Sequence, residues 1–286
     1  ILPGTTGPLF DPHGGLADLR ARHIRVLHDH SFVDDPTRIF RAVKLAVRLG
    51  LRIEPHTLEL ILRAVRDGVL VTVSMDRITR ELLLIMEEPK GEQMLAEMDR
   101  LGVLANIHPA LGWRYSGDRG IVRDADQLTK EQRRDAYLAV IAAEFAGAPG
   151  EAEELARWLK LPVTMFRLMR DAAQLVGVWE QLGEEGQQPS NTHRLLHGLD
   201  PRAIEAALRI APLTENTHAS RHVSEYLQRL RFVKPELNGQ YLRALGVPSG
   251  PIYRQVLDAL LDAKLDGLLP NRAAEEEFVR QKLAGS

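Results

Sequence analysis

Apolar residues recur at helical spacing along most of the chain beyond residue 35. In the segment 75–88, for example, Ile78, Leu82 and Ile85 fall on one stripe, which is typical of an amphipathic helix. The same spacing predicts helices over 36–49, 56–67, 75–88, 91–102, 130–146, 151–160, 163–183, 201–211, 220–232, 236–245, 251–266 and 272–284. The pattern therefore predicts a mainly α fold.

The first 30 residues follow a different pattern. Glycine and proline interrupt short stretches such as 23–27, so we expect loops here with one or two short strands. Further along the chain, glycine-rich or polar runs at Gly112–Gly120, Gly147–Gly150 and Gly183–Ser190 are candidate joints between helical parts.

Composition narrows the class of protein. The 286 residues are 44% hydrophobic and 27% charged, which argues against a disordered chain. There is no cysteine, so a disulfide scaffold, a thiolate zinc finger and a cysteine nucleophile are excluded. The sequence has no apolar run of the roughly 20 residues that a membrane helix needs, and its first residues do not read as a signal peptide.

The predicted helix 36–49 carries the most suggestive charges. Arg38, Arg41, Lys44 and Arg48 share an arc of about 120° opposite the apolar side, and residues 20–66 contain ten Lys or Arg against five Asp or Glu. A carboxylate at Asp35 and the guanidinium of Arg38 together offer acceptors and donors to the edge of a base. The spacing alone equally fits an Asp N-cap before a proline, followed by a solvated helix face.

Other groups of polar and aromatic residues have both functional and structural interpretations. His23, His28, Asp29 and His30 could bind the metal of a phosphohydrolase, although exposed surface histidines are the commoner case. Trp113 and Tyr115, with Arg114 and Arg119, could stack on RNA bases or simply pack a joint. The glycine turn between Gly246 and Pro251 suggests a helix-turn-helix or, more often, a packing hairpin.

Several motifs, in order, resemble those of the class II tRNA nucleotidyltransferase and poly(A) polymerase family. These enzymes add C and A, or A alone, to RNA 3′ ends. The resemblance is carried by Asp11-Pro-His-Gly-Gly-Leu-Ala-Asp-Leu19, His23-Ile-Arg-Val-Leu27, Phe32 to Gly50, Val73 to Leu82, Leu101 to Pro109, Leu237 to Pro251 and Leu265-Asp-Gly267. It therefore spans nearly the whole chain.

The resemblance implies roles for individual residues. Asp34, Asp35 and Arg38 match an amino-acid template that pairs with the incoming CTP or ATP, Arg41 and Lys44 match nucleotide contacts, and Arg77 matches an arginine that braces the template helix. Asp34 and Asp76 stand where the family has Glu, and Lys44 stands for Arg, which removes the planar fork of donors at that position. We add Arg48, Arg243 and Arg254 as candidate RNA contacts, the last two because the family's tails hold the tRNA elbow.

The family's catalytic motif, Gly-Gly-x-x-Arg-Asp followed by Asp-x-Asp, binds two Mg²⁺ ions and lies upstream of Asp11. We therefore expect no catalytic and no metal-binding residues in this chain, Mg²⁺ only in the full-length enzyme, and a catalytic head encoded before Ile1. Gly120 to Asp126 and Arg133 to Asp135 imitate the motif and an accompanying Arg-Arg-Asp, but they lie downstream of Asp11, so we do not expect them to bind metal.

The resulting prediction is an elongated neck, body and tail with a short α/β head remnant, divided as 1–33, 34–112, 113–235 and 236–286. Its function would be to bind RNA and nucleotide for a cytoplasmic tRNA nucleotidyltransferase, without activity on its own. The expected partners are ATP, CTP as a second nucleotide, and the tRNA 3′ end and elbow, with no membrane. The alternative is a non-catalytic helical RNA-binding or scaffold module.

Overall fold

The computed structural model describes residues 10–113, 120–244 and 251–284. The chain divides into two compact units, one formed by Ile1–Ile141 with Glu154–Phe166 and the other by Ala142–Glu153 with Arg167–Ser286. Helices dominate both, as the sequence predicts. Within the described residues no helix is both long and apolar enough to cross a bilayer. Arg114, Tyr115, Arg119 and the turn 246–250 lie outside the described residues.

Between residues 10 and 113 the chain forms short and medium helices and two short strands. Their bounds are α1 Gly15–Ala21, β1 His23–Ile24, α2 Ser31–Asp34, α3 Arg38–Leu49, β2 Arg52–Ile53, α4 Pro55–Arg66, a 3₁₀ turn Val69–Thr72, α5 Met75–Met86, α6 Gly91–Arg100 and α7 Val103–Ile107. The two strands are parallel, with His23 opposite Arg52.

Beyond residue 120 the described chain is helical apart from its connections. The bounds are α8 Lys130–Ala143, α9 Pro149–Trp158, α10 Val163–Gly177, α11 Trp179–Leu182, α12 Pro189–Leu196, α13 Pro201–Ala207, α14 Ala211–Glu215, α15 Thr217–Gln228, a 3₁₀ turn Leu230–Phe232, α16 Gly239–Ala244, α17 Pro251–Leu265 and α18 Arg272–Ala284.

The N-terminal segment differs from the prediction of loops and strands, because residues 15–21 form α1. The Asp11 carboxylate accepts the free N–H groups of Gly15 and Leu16, each at 2.8 Å, and so caps this short helix. Asp18 then holds Arg25 with both carboxylate oxygens at 3.1 Å. Asp11 and Asp18 thus stabilise α1 and its connection to β1.

Two further differences from the prediction lie beyond residue 160. The predicted helix 163–183 is interrupted after Gly177, whose backbone approaches Gly147 so closely that a Cβ would lie 2.7 Å from the Gly147 nitrogen. The apolar spacing predicts no helix over α12, because the polar run Gly183–Ser190 covers its first residues. Pro189 begins this helix after the extended Gln188, in the position that suits a residue without an N–H.

Each unit has its own apolar core. In the first unit, Ile39, Phe40 and Val43 on the inner face of α3 are fully buried. The second unit has one cluster around Trp179, Leu196 and Tyr226, and another that packs α16, α17 and α18 together. The buried face of α3 fixes the direction of its opposite, charged face.

Candidate functional site

Asp35 joins α2 to α3 in an extended conformation, with φ −147° and ψ 95°. We predicted a helix from Pro36, but α3 begins two residues later, at Arg38. The Asp35 carboxylate oxygen Oδ1 accepts the Thr37 N–H at 3.1 Å, much as an N-cap would. The cap interpretation of this aspartate is therefore partly correct.

The same oxygen has two further partners. Thr37 Oγ1 donates to Asp35 Oδ1 at 2.7 Å, and Arg77 Nη2 from α5 donates to it at 3.1 Å. Arg77 Nη2 also donates to Thr37 Oγ1 at 3.3 Å. Asp35 Oδ2 accepts no hydrogen bond from any described residue, so one carboxylate oxygen stays open as an acceptor.

These contacts keep the Asp35 carboxyl ionised. Its pKa is lowered from the ordinary value, chiefly by the Thr37 hydroxyl and then by the Thr37 N–H, Arg77 and Arg38, while burial opposes the shift. Asp35 is therefore an acceptor-only group at neutral pH.

Arg38 is held by a different residue. Its Nη1 donates to Ser31 Oγ at 3.0 Å and to the Ser31 carbonyl at 3.3 Å, and Ser31 is buried. The Nε and Nη2 donors of Arg38 bond no described residue. The structure thus places a fixed guanidinium with spare donors three residues after a fixed carboxylate with a spare acceptor.

Arg38 lines an open groove of about 420 Å³. Arg41 shares this groove, and its side chain is exposed and pairs with no described residue. The opposite side is formed by the segment from Ile24 to His28, with Ser31 and Phe32. A groove of this size with three guanidinium groups, of which that of Arg25 is paired with Asp18, suits an anionic ligand of moderate size.

The other basic residues of α3 are paired. Lys44 Nζ lies 3.8 Å from Glu81, and Arg48 forms an ion pair with Glu88. Asp34 is exposed, with its carboxylate 3.7 Å from His28 Nε2. Of the predicted site residues, the structure joins Asp35 to Arg77 by a hydrogen bond and places Arg38 and Arg41 on one groove, whose lining includes neither Asp35 nor Arg77.

The remaining predicted residues lie in the second unit. Arg243 on α16 and Arg254 on α17 are exposed and pair with no described residue. Neither belongs to the groove beside α3.

The predicted histidine and aromatic sites form ordinary contacts. Asp29 binds His56 at 2.9 Å, and no group of three or more His, Asp or Glu within the described residues could hold a metal ion. The Mg²⁺ ligands that the resemblance implies belong to a motif upstream of Asp11, so we assign none of the described residues to them. Trp113 is buried and meets Tyr137 edge to face at 5.7 Å, so it packs a joint.

The stretches Gly120 to Asp126 and Arg133 to Asp135, which imitate the catalytic motif, also have side-chain contacts unlike those of a metal site. Arg133 is buried, and its guanidinium donates to the carbonyls of Ala125, Leu128 and Glu87. Asp124 is exposed at a turn with φ 51°. Arg133 thus fastens the loop before α8 to the end of α5.

Sequence reasoning missed Ser31 and Thr37 as contributors to this site. Ser31 lies seven residues before Arg38, across a non-helical turn, so no periodicity connects them. Thr37 lies between Asp35 and Arg38 in the sequence. A hydroxyl so close to a candidate carboxylate could have indicated a hydrogen bond that orients it.

Comparison with known proteins identifies the family. Residues 50–113 match a family model described as "Probable RNA and SrmB- binding site of polymerase A". The chain is 31% identical to an A-adding tRNA nucleotidyltransferase of Geobacter sulfurreducens over 98% of this chain and 33% of that protein. It is 37% identical to a multifunctional CCA protein of Burkholderia mallei over 98% of this chain and 68% of that protein.

Solved structures agree with these relatives. A CCA-adding enzyme in complex with ATP is 25% identical and superposes with a TM-score of 0.70, over 96% of this chain and 66% of that one. A Thermotoga maritima CCA-adding enzyme complexed with tRNA is 26% identical, with a TM-score of 0.68, over 96% of this chain and 67% of that one.

The chain spans about a third of the Geobacter relative and 64% of an A-adding enzyme of Halalkalibacterium halodurans, to which it is 25% identical. The Burkholderia protein is more similar in sequence, and this chain covers more of its length. The helical fold is shared with CCA-adding enzymes. The chain therefore belongs to the family of A-adding and CCA-adding tRNA nucleotidyltransferases.

Proposed function

We propose that this chain is the nucleotide-selecting and RNA-binding part of an enzyme that adds A, or C and A, to tRNA 3′ ends. Asp34, Asp35 and Arg38 form the template for the incoming base, and Arg41 and Lys44 contact the nucleotide. The observation that carries the proposal is that a carboxylate with an open acceptor at Asp35 and a guanidinium with spare donors at Arg38 are each held in place three residues apart, with Arg38 and Arg41 lining one groove.

The chemistry of the four bases explains why such a pair selects A and C. Adenine and cytosine each present an amino donor beside a ring-nitrogen acceptor, whereas guanine and uracil present a carbonyl acceptor beside an N–H donor. A carboxylate oxygen accepts from the amino group, and a guanidinium donates to the ring nitrogen. Guanine or uracil would set acceptor against acceptor and donor against donor.

The remaining cations fit the handling of RNA. Residues 50–113 match the RNA-binding family model, and Arg48 stands just before them. Arg243 and Arg254 offer exposed guanidinium groups on α16 and α17, where we place contacts to the tRNA elbow. Phosphate contacts of this kind hold RNA without reading its sequence.

We further propose that the 286-residue chain alone does not extend a tRNA. The proposal is supported by the two stretches that imitate the family's catalytic motifs, Gly120 to Asp126 and Arg133 to Asp135, which lie downstream of Asp11, where the family does not carry these motifs. Mg²⁺ would be bound by the full-length enzyme and would assist phosphoryl transfer there.

Titration of the ¹⁵N-labelled chain with ATP, CTP, GTP and UTP, followed by NMR, tests base selection. We expect ATP to perturb the Arg38 and Arg41 side-chain signals and to bind at least about tenfold more tightly than GTP or UTP, the difference that one lost hydrogen bond to a charged group gives. Arg38→Ala should remove that preference. CTP binding as tight as ATP binding would favour C and A addition over A addition.

Binding to a tRNA that lacks its terminal A separates this function from the alternative of a scaffold module. Affinity should fall with salt concentration, and Arg243→Ala should lower the slope of that dependence by about one phosphate contact. Salt-dependent tRNA binding together with equal affinity for all four nucleotides would refute the template and leave the scaffold module.

A further inference from the structure

Thr37 occupies the centre of the contacts around Asp35. Its side chain is buried, with 8% of its surface exposed, although it stands between the partly exposed Asp35 and Arg38. The hydroxyl donates to Asp35 Oδ1 at 2.7 Å and accepts from Arg77 Nη2 at 3.3 Å. One hydroxyl thus uses both its donor and an acceptor lone pair within the candidate template.

These bonds form a closed ring of three groups. Arg77 donates both to the Thr37 hydroxyl and to Asp35 Oδ1, and the hydroxyl itself donates to that same oxygen. The Thr37 N–H adds a further donor to Asp35 Oδ1. Because every donor converges on Oδ1, the carboxylate plane is fixed and Oδ2 is the oxygen left to accept a ligand N–H.

The residue type suits this position. Threonine is branched at Cβ, so its χ1 angle is restricted, and burial restricts it further. Pro36, which is also buried, has its own φ fixed by its ring and restricts Asp35 before it to an extended conformation. The hydroxyl is therefore held in one direction before any ligand arrives, which lowers the entropic cost of ordering the template on binding.

We propose that Thr37 is a positioning residue that orients Asp35 and so sets the preference for bases with an amino group. This inference rests on the proposed function and adds to it a residue that contacts no base itself. Its action is through the hydroxyl, which together with Arg77 holds Asp35 Oδ1 and leaves Oδ2, which has no described partner, as the oxygen that we assign to the base.

The electrostatics of Asp35 agree with this assignment. The Thr37 hydroxyl is the largest cause of the lowered Asp35 pKa, ahead of the charges of Arg77 on α5 and Arg38 on α3. Loss of the hydroxyl should therefore raise the pKa of Asp35 toward its ordinary value. Since the template needs the carboxylate ionised, the low-pH loss of ATP binding should move to higher pH.

Two substitutions separate the hydroxyl from the shape of the side chain. Thr37→Val keeps the branched shape and removes both side-chain bonds, whereas Thr37→Ser keeps the hydroxyl. We expect Thr37→Val to lower the preference for ATP over GTP about tenfold, the effect of losing one charge-assisted bond, and to shift the low-pH limb upward. Thr37→Ser should stay within about threefold of the wild type.

The control is Thr214→Val in the second unit, where the hydroxyl bonds only the Ala211 carbonyl, at 2.8 Å. It should leave nucleotide selection unchanged. Thermal unfolding of every variant checks that the fold is retained. Should Thr37→Val fail to fold, Thr37→Ala also lacks the hydroxyl and can replace it in the comparison with Thr37→Ser.

The outcomes distinguish the two levels of inference. If the wild type shows no preference for ATP over GTP, the proposed function fails and the role of Thr37 fails with it. If the wild type selects ATP and Thr37→Val selects equally well, only the role of Thr37 is refuted. A Thr37→Ser variant that loses selection as fully as Thr37→Val would also refute it, because the hydroxyl would then not be the cause.

Discussion

Replacing Arg133 with methionine should destabilise the first unit strongly. Arg133 is 4% exposed, and its guanidinium donates from Nε to the Ala125 carbonyl at 2.7 Å, from Nη2 to the Leu128 carbonyl at 2.8 Å and from Nη1 to the Glu87 carbonyl. Methionine has a similar length and no donors, so it leaves three carbonyls without this partner.

The expected loss follows from these three bonds. A hydrogen bond from a charged donor contributes about 1.5–3 kcal/mol, and an unsatisfied buried carbonyl costs about 1–3 kcal/mol. Water can reach the carbonyls of the partly exposed Glu87 and Ala125 once the loop relaxes, and the methionine recovers about 1–2 kcal/mol of apolar burial. We therefore expect the free energy of unfolding to fall by about 3 kcal/mol.

Urea unfolding followed by far-ultraviolet circular dichroism measures this change as a lower midpoint at unchanged slope. Lys130→Met is the matched control, since Lys130 is exposed on the same helix, and it should change stability by less than about 0.5 kcal/mol. A loss below about 1 kcal/mol for Arg133→Met would refute the assignment of a structural role to this arginine.

Two further predictions concern the second unit. His193 is buried, and its pKa is lowered by burial and then by the neighbouring His197, while Asp262 opposes the shift. As pH falls through about 6.5, the unfolded chain therefore takes up the proton before the folded chain does, and stability declines. His193→Gln should lessen the drop in melting temperature between about pH 7.5 and about pH 5.5. Glu275 is fully buried, binds Lys264 at 2.6 Å and accepts two backbone N–H groups, so Glu275→Gln should cost about 3 kcal/mol in urea unfolding.

Adjacent or similar exposed residues supply the controls. His218→Gln should leave the pH dependence of melting unchanged, because His218 is exposed. Glu276→Gln removes only ion pairs with the exposed Arg272 and Arg280 and should cost less than about 1 kcal/mol. A His193→Gln variant that melts with the wild-type pH dependence, or a Glu275→Gln variant no weaker than Glu276→Gln, would contradict the corresponding prediction.

The amphipathic helices of the fold could be predicted from the sequence, because the spacing of their apolar residues indicates which face is buried. Segments 56–67 and 75–88 correspond to α4 Pro55–Arg66 and α5 Met75–Met86. The short helix α1 could not be found this way. It buries none of its residues and depends on capping by the Asp11 side chain, which leaves no apolar stripe to detect.

The sequence names residues for the candidate site, whose roles remain a prediction, but it does not give their contacts. The family resemblance supplied Asp35, Arg38 and Arg77, and the spacing suggested that the first two act together. Their fixed orientations come from Ser31 and Thr37, through hydrogen bonds whose direction depends on the turn before α3. Such directions follow from tertiary structure and are not encoded in a periodic pattern.

The central claim is that Asp35 and Arg38 select the base, and Asp35→Asn tests it most directly. Asparagine keeps the size of the side chain but replaces one acceptor oxygen with a donor NH₂ group. The measurement is the ratio of ATP to GTP affinity by NMR titration of the wild type, Asp35→Asn and the exposed control Asp67→Asn. We predict that Asp35→Asn loses at least about tenfold of the wild-type preference for ATP while Asp67→Asn retains it. An Asp35→Asn chain that still prefers ATP as strongly as the wild type would contradict the account.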